Sequence, residues 1–160
     1  MGFSLVGPAG NSGTGILLYG EARDVEVRNG HVRNFARGIY RPGDGNNYRL
    51  TNLKIRACTE GIVFFGRGVI ITGCEASYCA TGFSIHSLAT VIDKNVATNN
   101  KDYGFYLACT GVIINNTASY NDTGFFLTAD PKQLVDRNAS VDNTTNWNGL
   151  IGCTRGLNTP

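Results

Sequence analysis

The chain has 160 residues, 42% of them apolar and 16% charged, a balance sized for one domain and too apolar and weakly charged for intrinsic disorder. Its formal net charge is +2, with nine Lys/Arg against six Asp/Glu in residues 1–80 and five against six in residues 81–160, so any basic surface lies early. Abundant glycine and asparagine, with almost no run of Ala, Leu, Glu and Lys, exclude long helices, and no stretch approaches the ~18 apolar residues of a membrane span.

Taken in chain order, Met1 to Gly15 is rich in Gly, Ser and Pro, with Phe3, Leu5 and Val6 as its apolar run. It reads as part of a coil, and Met1–Leu5 lacks the basic and apolar regions of a signal peptide. From there a glycine followed by a large apolar residue recurs at Gly15-Ile16, Gly38-Ile39, Gly61-Ile62, Gly82-Phe83, Gly104-Phe105, Gly124-Phe125 and Gly149-Leu150. Internal periods of this size signal a solenoid.

Each such start opens a short alternating strand, and about ten residues later a second β-branched run follows. Examples are Val25-Glu26-Val27, Val69-Ile70-Ile71 and Val112-Ile113-Ile114, so two strands per coil are expected. Three residues after the second strand lies a column occupied by Gly30, Leu53, Cys74, Asn95, Asn116 and Asn138; five residues further on lies another, Phe35, Cys58, Cys79, Asn100, Asn121 and Asn143. Like residues one coil apart sit ~4.8 Å from each other, so buried asparagines can pass amide hydrogen bonds along the stack. The recurring glycine after the second column is expected to supply a positive φ for the turn into the next coil.

Cys58, Cys74, Cys79, Cys109 and Cys153 form an odd set without a C-x-x-C pair, which reads as core thiols and gives no zinc site or other metal site. The chain ends, Cys153 to Pro160, in a segment too short to cover a core.

This pattern, and above all Asn-Asn-Thr-Ala-Ser-Tyr-Asn-Asp-Thr-Gly-Phe-Phe-Leu at 115–127, resembles the right-handed parallel β-helix repeat of the pectate-lyase-like superfamily. The resemblance implies an all-β, single-stranded solenoid of about seven coils with little or no α-helix. It makes residues 1–160 one domain with repeats over about 13–152, whether whole or part of a longer helix. It also implies export or a cell-surface location, although no signal peptide is seen. It says little about activity, because the scaffold hosts lyases, hydrolases, epimerases, tailspikes and binding proteins.

Motifs of the related enzymes are not intact: there is no Asp-Asp flanked by Gly-His-Gly, and Asp130-Pro131-Lys132 keeps half of an Asp-Pro-His-Glu. Asp93 and Asp136 share a column but have Ile114 between them, a separation of roughly 10 Å by stacking, too far to share a calcium ion. The spacing would suit an inverting carboxylate pair, yet two solvated turn aspartates explain it more simply. His31 and His86 lack a serine or cysteine nucleophile with an evident third partner, so no catalytic residue and no cofactor are expected. Of the four sequons, Asn115, Asn121, Asn138 and Asn143, three fall on the ladders, where burial is the better explanation.

Two surfaces invite function. In the first, His31 stacks beside Lys54 and Arg33 beside Arg56, with Arg28 close by, a crowding of cations that an acidic polysaccharide would relieve. The second is the outward column Leu17, Tyr40, Val63, Ser84, Tyr106, Phe126 and Ile151, expected to face solvent as an interface or sugar platform. The leading expectation is a non-catalytic carbohydrate-associated or structural module that binds acidic polysaccharide. A polysaccharide-active enzyme with an unrecognised site is the first alternative, and a homo-oligomer joined through the apolar column the second. Neither nucleic acid nor membrane is an expected partner.

Overall fold

The computed structural model describes residues 2–20, 22–43, 45–128, 133–149 and 154–156. In chain order the strands are β1 (Phe3–Val6), β2 (Thr14–Leu17), β3 (Val25–Arg33), β4 (Arg37–Pro42), β5 (Tyr48–Arg56), β6 (Glu60–Arg67) and β7 (Val69–Thr72). There follow β8 (Glu75–Ser77), β9 (Thr81–Leu88), β10 (Thr90–Asp93), β11 (Val96–Thr98), β12 (Tyr103–Leu107) and β13 (Gly111–Ile114). The last are β14 (Thr117–Ser119), β15 (Thr123–Leu127), β16 (Gln133–Asp136), β17 (Ala139–Val141), β18 (Thr145–Asn148) and β19 (Thr154–Arg155).

Every pairing is parallel and joins a strand to its counterpart one coil away, which is a parallel β-solenoid. A seven-stranded sheet runs β18-β15-β12-β9-β6-β4-β2, and a twelve-stranded sheet carries the rest of each coil. The expected two strands per coil become three from β7 onward. The third, as in β8, β11, β14 and β17, has only three residues and lies between the two side-chain ladders. In the early coils it fuses with the second strand, so β3 and β5 each span nine residues, and β5 pairs with both β7 and β8.

The core is a set of inward columns. Ile39, Ile62, Phe83, Phe105 and Phe125 are in register and buried, and the rings of Phe83, Phe105 and Phe125 stack with centroids 4.6 Å apart. Trp147 continues this stack, its ring 4.4 Å from Phe125. The seventh repeat therefore begins at Asn146-Trp147 and not at the expected Gly149-Leu150; Phe126 has Asn148 as its ladder partner. Leu150 and Ile151 lie outside the described residues. Leu50, Ile71, Ile92, Ile113 and Val135 form a second buried column.

The repeating glycines have a different role from the one expected. Gly38, Gly61, Gly82, Gly104 and Gly124 are absent from the positive-φ positions. Space decides them instead: a Cβ at Gly61 would lie 2.4 Å from the Gly82 carbonyl oxygen, and one at Gly104 would lie 2.7 Å from that of Gly124. Left-handed turns fall one residue before each ladder, at Asn29, Asn52, Gly73, Lys94, Asn115 and Arg137, and at Asn34, Ala57, Tyr78, Asn99, Tyr120 and Asp142, and a further series, Asp24, Asn47, Gly68 and Ala89, precedes the second strand of its coil.

Candidate functional site

Both asparagine ladders form as expected. Asn95 Nδ2 donates to Asn116 Oδ1 (3.0 Å) and Asn116 Nδ2 to Asn138 Oδ1 (2.9 Å), while each Oδ1 also accepts the backbone N–H of the preceding ladder residue. The second ladder repeats this through Asn100, Asn121 and Asn143. Both ladders end on cysteine, where Asn95 Oδ1 accepts the Cys74 N–H and Asn100 Oδ1 that of Cys79. Asn121 and Asn138 are thus structural and buried, whatever their sequons.

Cys58, Cys74 and Cys79 are free thiols, and all three, like Cys109, are buried; Cys153 lies outside the described residues. The neighbouring thiols of Cys58 and Cys79 interact, which brings Cys58 down to about 7 and, together with burial, pushes Cys79 upward; each sulfur also donates to a carbonyl, Arg56 O at 3.6 Å and Ser77 O at 3.5 Å. Burial alone raises Cys74 to about 11.

The cation cluster assembles in the predicted register. One outward column reads Ser4, His31, Lys54, Glu75 and the next Val6, Arg33, Arg56, Ser77, on adjoining parallel strands. All four cationic residues are exposed, and with Glu75 and Ser77 they line one shallow cleft. The Arg56 guanidinium lies over the Tyr78 ring, 4.4 Å from its centroid. Arg28 is turned toward Glu26 at 3.8 Å, away from the stacked pairs.

The second surface is more closed than its alternation implies. Leu17 is 51% exposed, but Val63 is 3% and Ser84 8%, with Tyr40, Tyr106 and Phe126 between these extremes. Neighbouring side chains cover the column. Arg37 lies over Tyr40 at 4.4 Å and pairs with Glu60 at 2.9 Å, and the Tyr106 ring stacks on Phe126 at 4.9 Å. His86 stacks on Phe65 at 4.6 Å and tilts against Tyr106 at 5.4 Å.

His86 has a serine neighbour on its own strand: Ser84 Oγ is 3.1 Å from its Nε2. Residues two apart share a strand face, which is the signal that could have revealed the pair. Burial lowers the histidine's affinity for a proton, opposed by the Glu60 charge. Among the described residues no carboxylate holds the other ring nitrogen, so the pair lacks the third member of a nucleophilic triad. Asp93 and Asp136 do flank Ile114 in one column; Asp93 accepts from Asn115 Nδ2 (2.8 Å), and Asp136 pairs with Arg137 at 3.2 Å. Asp130 and Lys132 lie outside the described residues. Among the described residues no three His, Cys, Asp or Glu side chains gather as metal ligands.

A solenoid of parallel, in-register coils with inward amide ladders is a parallel β-helix, and the sequence profile of the family described as "right handed beta helix region" matches residues 9–146. The chain belongs to that family. Searches of curated proteins and of solved structures found no match.

Proposed function

We propose that this β-helix is a non-catalytic module that binds an acidic polysaccharide across the outer face formed by β3, β5 and β8. One observation carries the reading: Arg33 and Arg56 are ladder partners with exposed side chains, so two guanidinium charges stack from coil to coil, with Lys54 exposed in the neighbouring column. Exposed guanidinium groups held ~4.8 Å apart repel one another unless an anion lies among them; Glu75, the carboxylate in the cleft lining, is the ladder partner of Lys54 and not of either arginine. A polyuronate carries one carboxylate per sugar ring, at a spacing close to one coil, and guanidinium groups bind carboxylates in bidentate fashion.

Labelled oligogalacturonate and oligoalginate, titrated by fluorescence anisotropy at low ionic strength, test this. Binding should weaken steeply as salt is added, and Arg33→Ala with Arg56→Ala should weaken it about tenfold or more, equivalent to ~1.4 kcal/mol. A neutral glucan of equal length should bind far less. Equal affinity in the double variant would leave the cluster as a solvated face.

A further inference from the structure

Tyr78 and Tyr120 occupy the least comfortable backbone positions among the exposed aromatic residues. Both have φ of 57°, in a turn column otherwise filled by Asn34, Ala57, Asn99 and Asp142. Asn and Asp tolerate this left-handed conformation, whereas a bulky side chain is strained in it. Strain retained at such positions points to use. The rings gain little shelter there, since Tyr78 is 53% and Tyr120 61% exposed. Between them lies a shallow depression lined by Asn99, Asn100 and Lys101, with Cys79 at its floor.

Tyr78 and Tyr120 sit two coils apart in one turn column, ~10 Å along the axis, about the length of two sugar rings. Beside them runs a row of hydroxyls in register, Ser77, Thr98 and Ser119, of which Ser77 is buried and Thr98 and Ser119 are half-buried; Ser119 Oγ donates to Thr98 Oγ1 (3.2 Å) and Asn99 Nδ2 donates to the same oxygen (3.0 Å). This row is continuous with the cation ladder: Arg56 and Ser77 are ladder partners, and the Arg56 guanidinium rests on Tyr78.

We propose that Tyr78 and Tyr120 are two stacking platforms for sugar rings, and that the polysaccharide lies parallel to the helix axis, running from Arg33 and Arg56 over the hydroxyl row to Tyr120. The inference rests on the polysaccharide reading above and adds to it a direction and a length. An aromatic face packs against the apolar face of a pyranose ring, while Lys101, Asn99 and the hydroxyls meet its polar edge. From the coil of Arg33 to that of Tyr120 is four coil steps, ~19 Å, room for about four or five sugar rings.

Affinity measured for uronate oligomers from disaccharide to octasaccharide tests both parts. For the wild type, affinity should rise with length and level off near the pentasaccharide. Tyr120→Asn, a residue suited to the turn, should leave the fold intact or more stable, move the plateau to about the trisaccharide, and weaken long oligomers about tenfold. Tyr78→Asn should weaken trisaccharides and all longer oligomers, and Tyr78→Phe and Tyr120→Phe should restore wild-type behaviour, because the ring and not the hydroxyl is at work. Wild-type affinity and plateau in both Asn variants, with binding lost in the Arg33→Ala, Arg56→Ala variant, would overturn the platforms and leave the cation reading standing. Absence of any uronate binding by the wild type would overturn both. Single-stranded DNA of matched length and charge competing as well as the uronate would also overturn the platforms as sugar sites.

Discussion

Replacing Asn116 with leucine cuts the first amide ladder in its middle. The Asn116 side chain makes four hydrogen bonds: Nδ2 donates to Ile92 O (2.8 Å) and Asn138 Oδ1 (2.9 Å), and Oδ1 accepts Asn95 N–H (2.9 Å) and Asn95 Nδ2 (3.0 Å). With leucine in place the Asn95 backbone donor and the Ile92 carbonyl lose these partners inside the core, at a cost of ~1–3 kcal/mol each. Burying the leucine side chain returns ~1.5–3 kcal/mol if it fits. The midpoints, ~4 kcal/mol lost against ~2 kcal/mol returned, leave a net loss of ~2 kcal/mol, seen as an earlier midpoint in urea unfolding followed by far-UV circular dichroism. Cys74→Asn supplies the opposite sign. Cys74 already sits on the ladder, its N–H bonded to Asn95 Oδ1 and its sulfur 3.6 Å from Leu50 O, so an amide there lengthens the stack by one coil. That variant should be neutral or more stable. Asn116→Leu unfolding with the wild type, or Cys74→Asn costing more than Asn116→Leu, would refute the ladder argument.

Three further outcomes follow from the same geometry. Phe105→Ala empties a position between two stacked rings, each 4.6 Å away, and should cost ~3–5 kcal/mol in denaturant unfolding; a loss under ~1 kcal/mol would mean the stack is not a packed core. Thiolate absorbance should show one ionisation from the Cys58–Cys79 pair near pH 7. Because the folded Cys58 value lies below the ~8.5 of a free thiol, its contribution is fully present near ~8.5 and is lost as pH falls through about 7, while the upward shift of Cys79 makes stability fall again above ~8.5; Cys79→Ala should abolish both slopes. If the column Leu17, Tyr40, Val63, Tyr106 and Phe126 joins two copies of the chain, light scattering should give a mass above that of the monomer, reduced by Tyr106→Lys with Phe126→Lys; a monomer at high concentration would refute that assembly.

The coil period and both ladders were legible because stacking places like residues at near-constant spacing, and Asn95, Asn116 and Asn138 have no other reason to recur. The cation pairs followed from the same register. The third strand was not legible: its single inward residue is Ala76, Ala97, Ala118 or Ser140, too small to mark an alternation in three residues. The glycine column was read as a conformational need, whereas its cause is the carbonyl of the next coil, which no single coil reveals. Trp147 was missed because Asn146 replaces the expected glycine before it. The two turn tyrosines gave no periodic signal, since Tyr78 and Tyr120 alternate with Asn99, and the positive φ that all three share is seen only in the backbone.

The most direct test of polysaccharide binding along this face is residue-resolved amide NMR of the wild type titrated with a uronate heptasaccharide. The account predicts saturable shifts along Lys54, Arg56, Ser77, Tyr78, Thr98, Asn99 and Tyr120, with little change at Tyr40, Val63 and Tyr106. Shifts confined to the seven-stranded sheet, or none at low ionic strength, would contradict it.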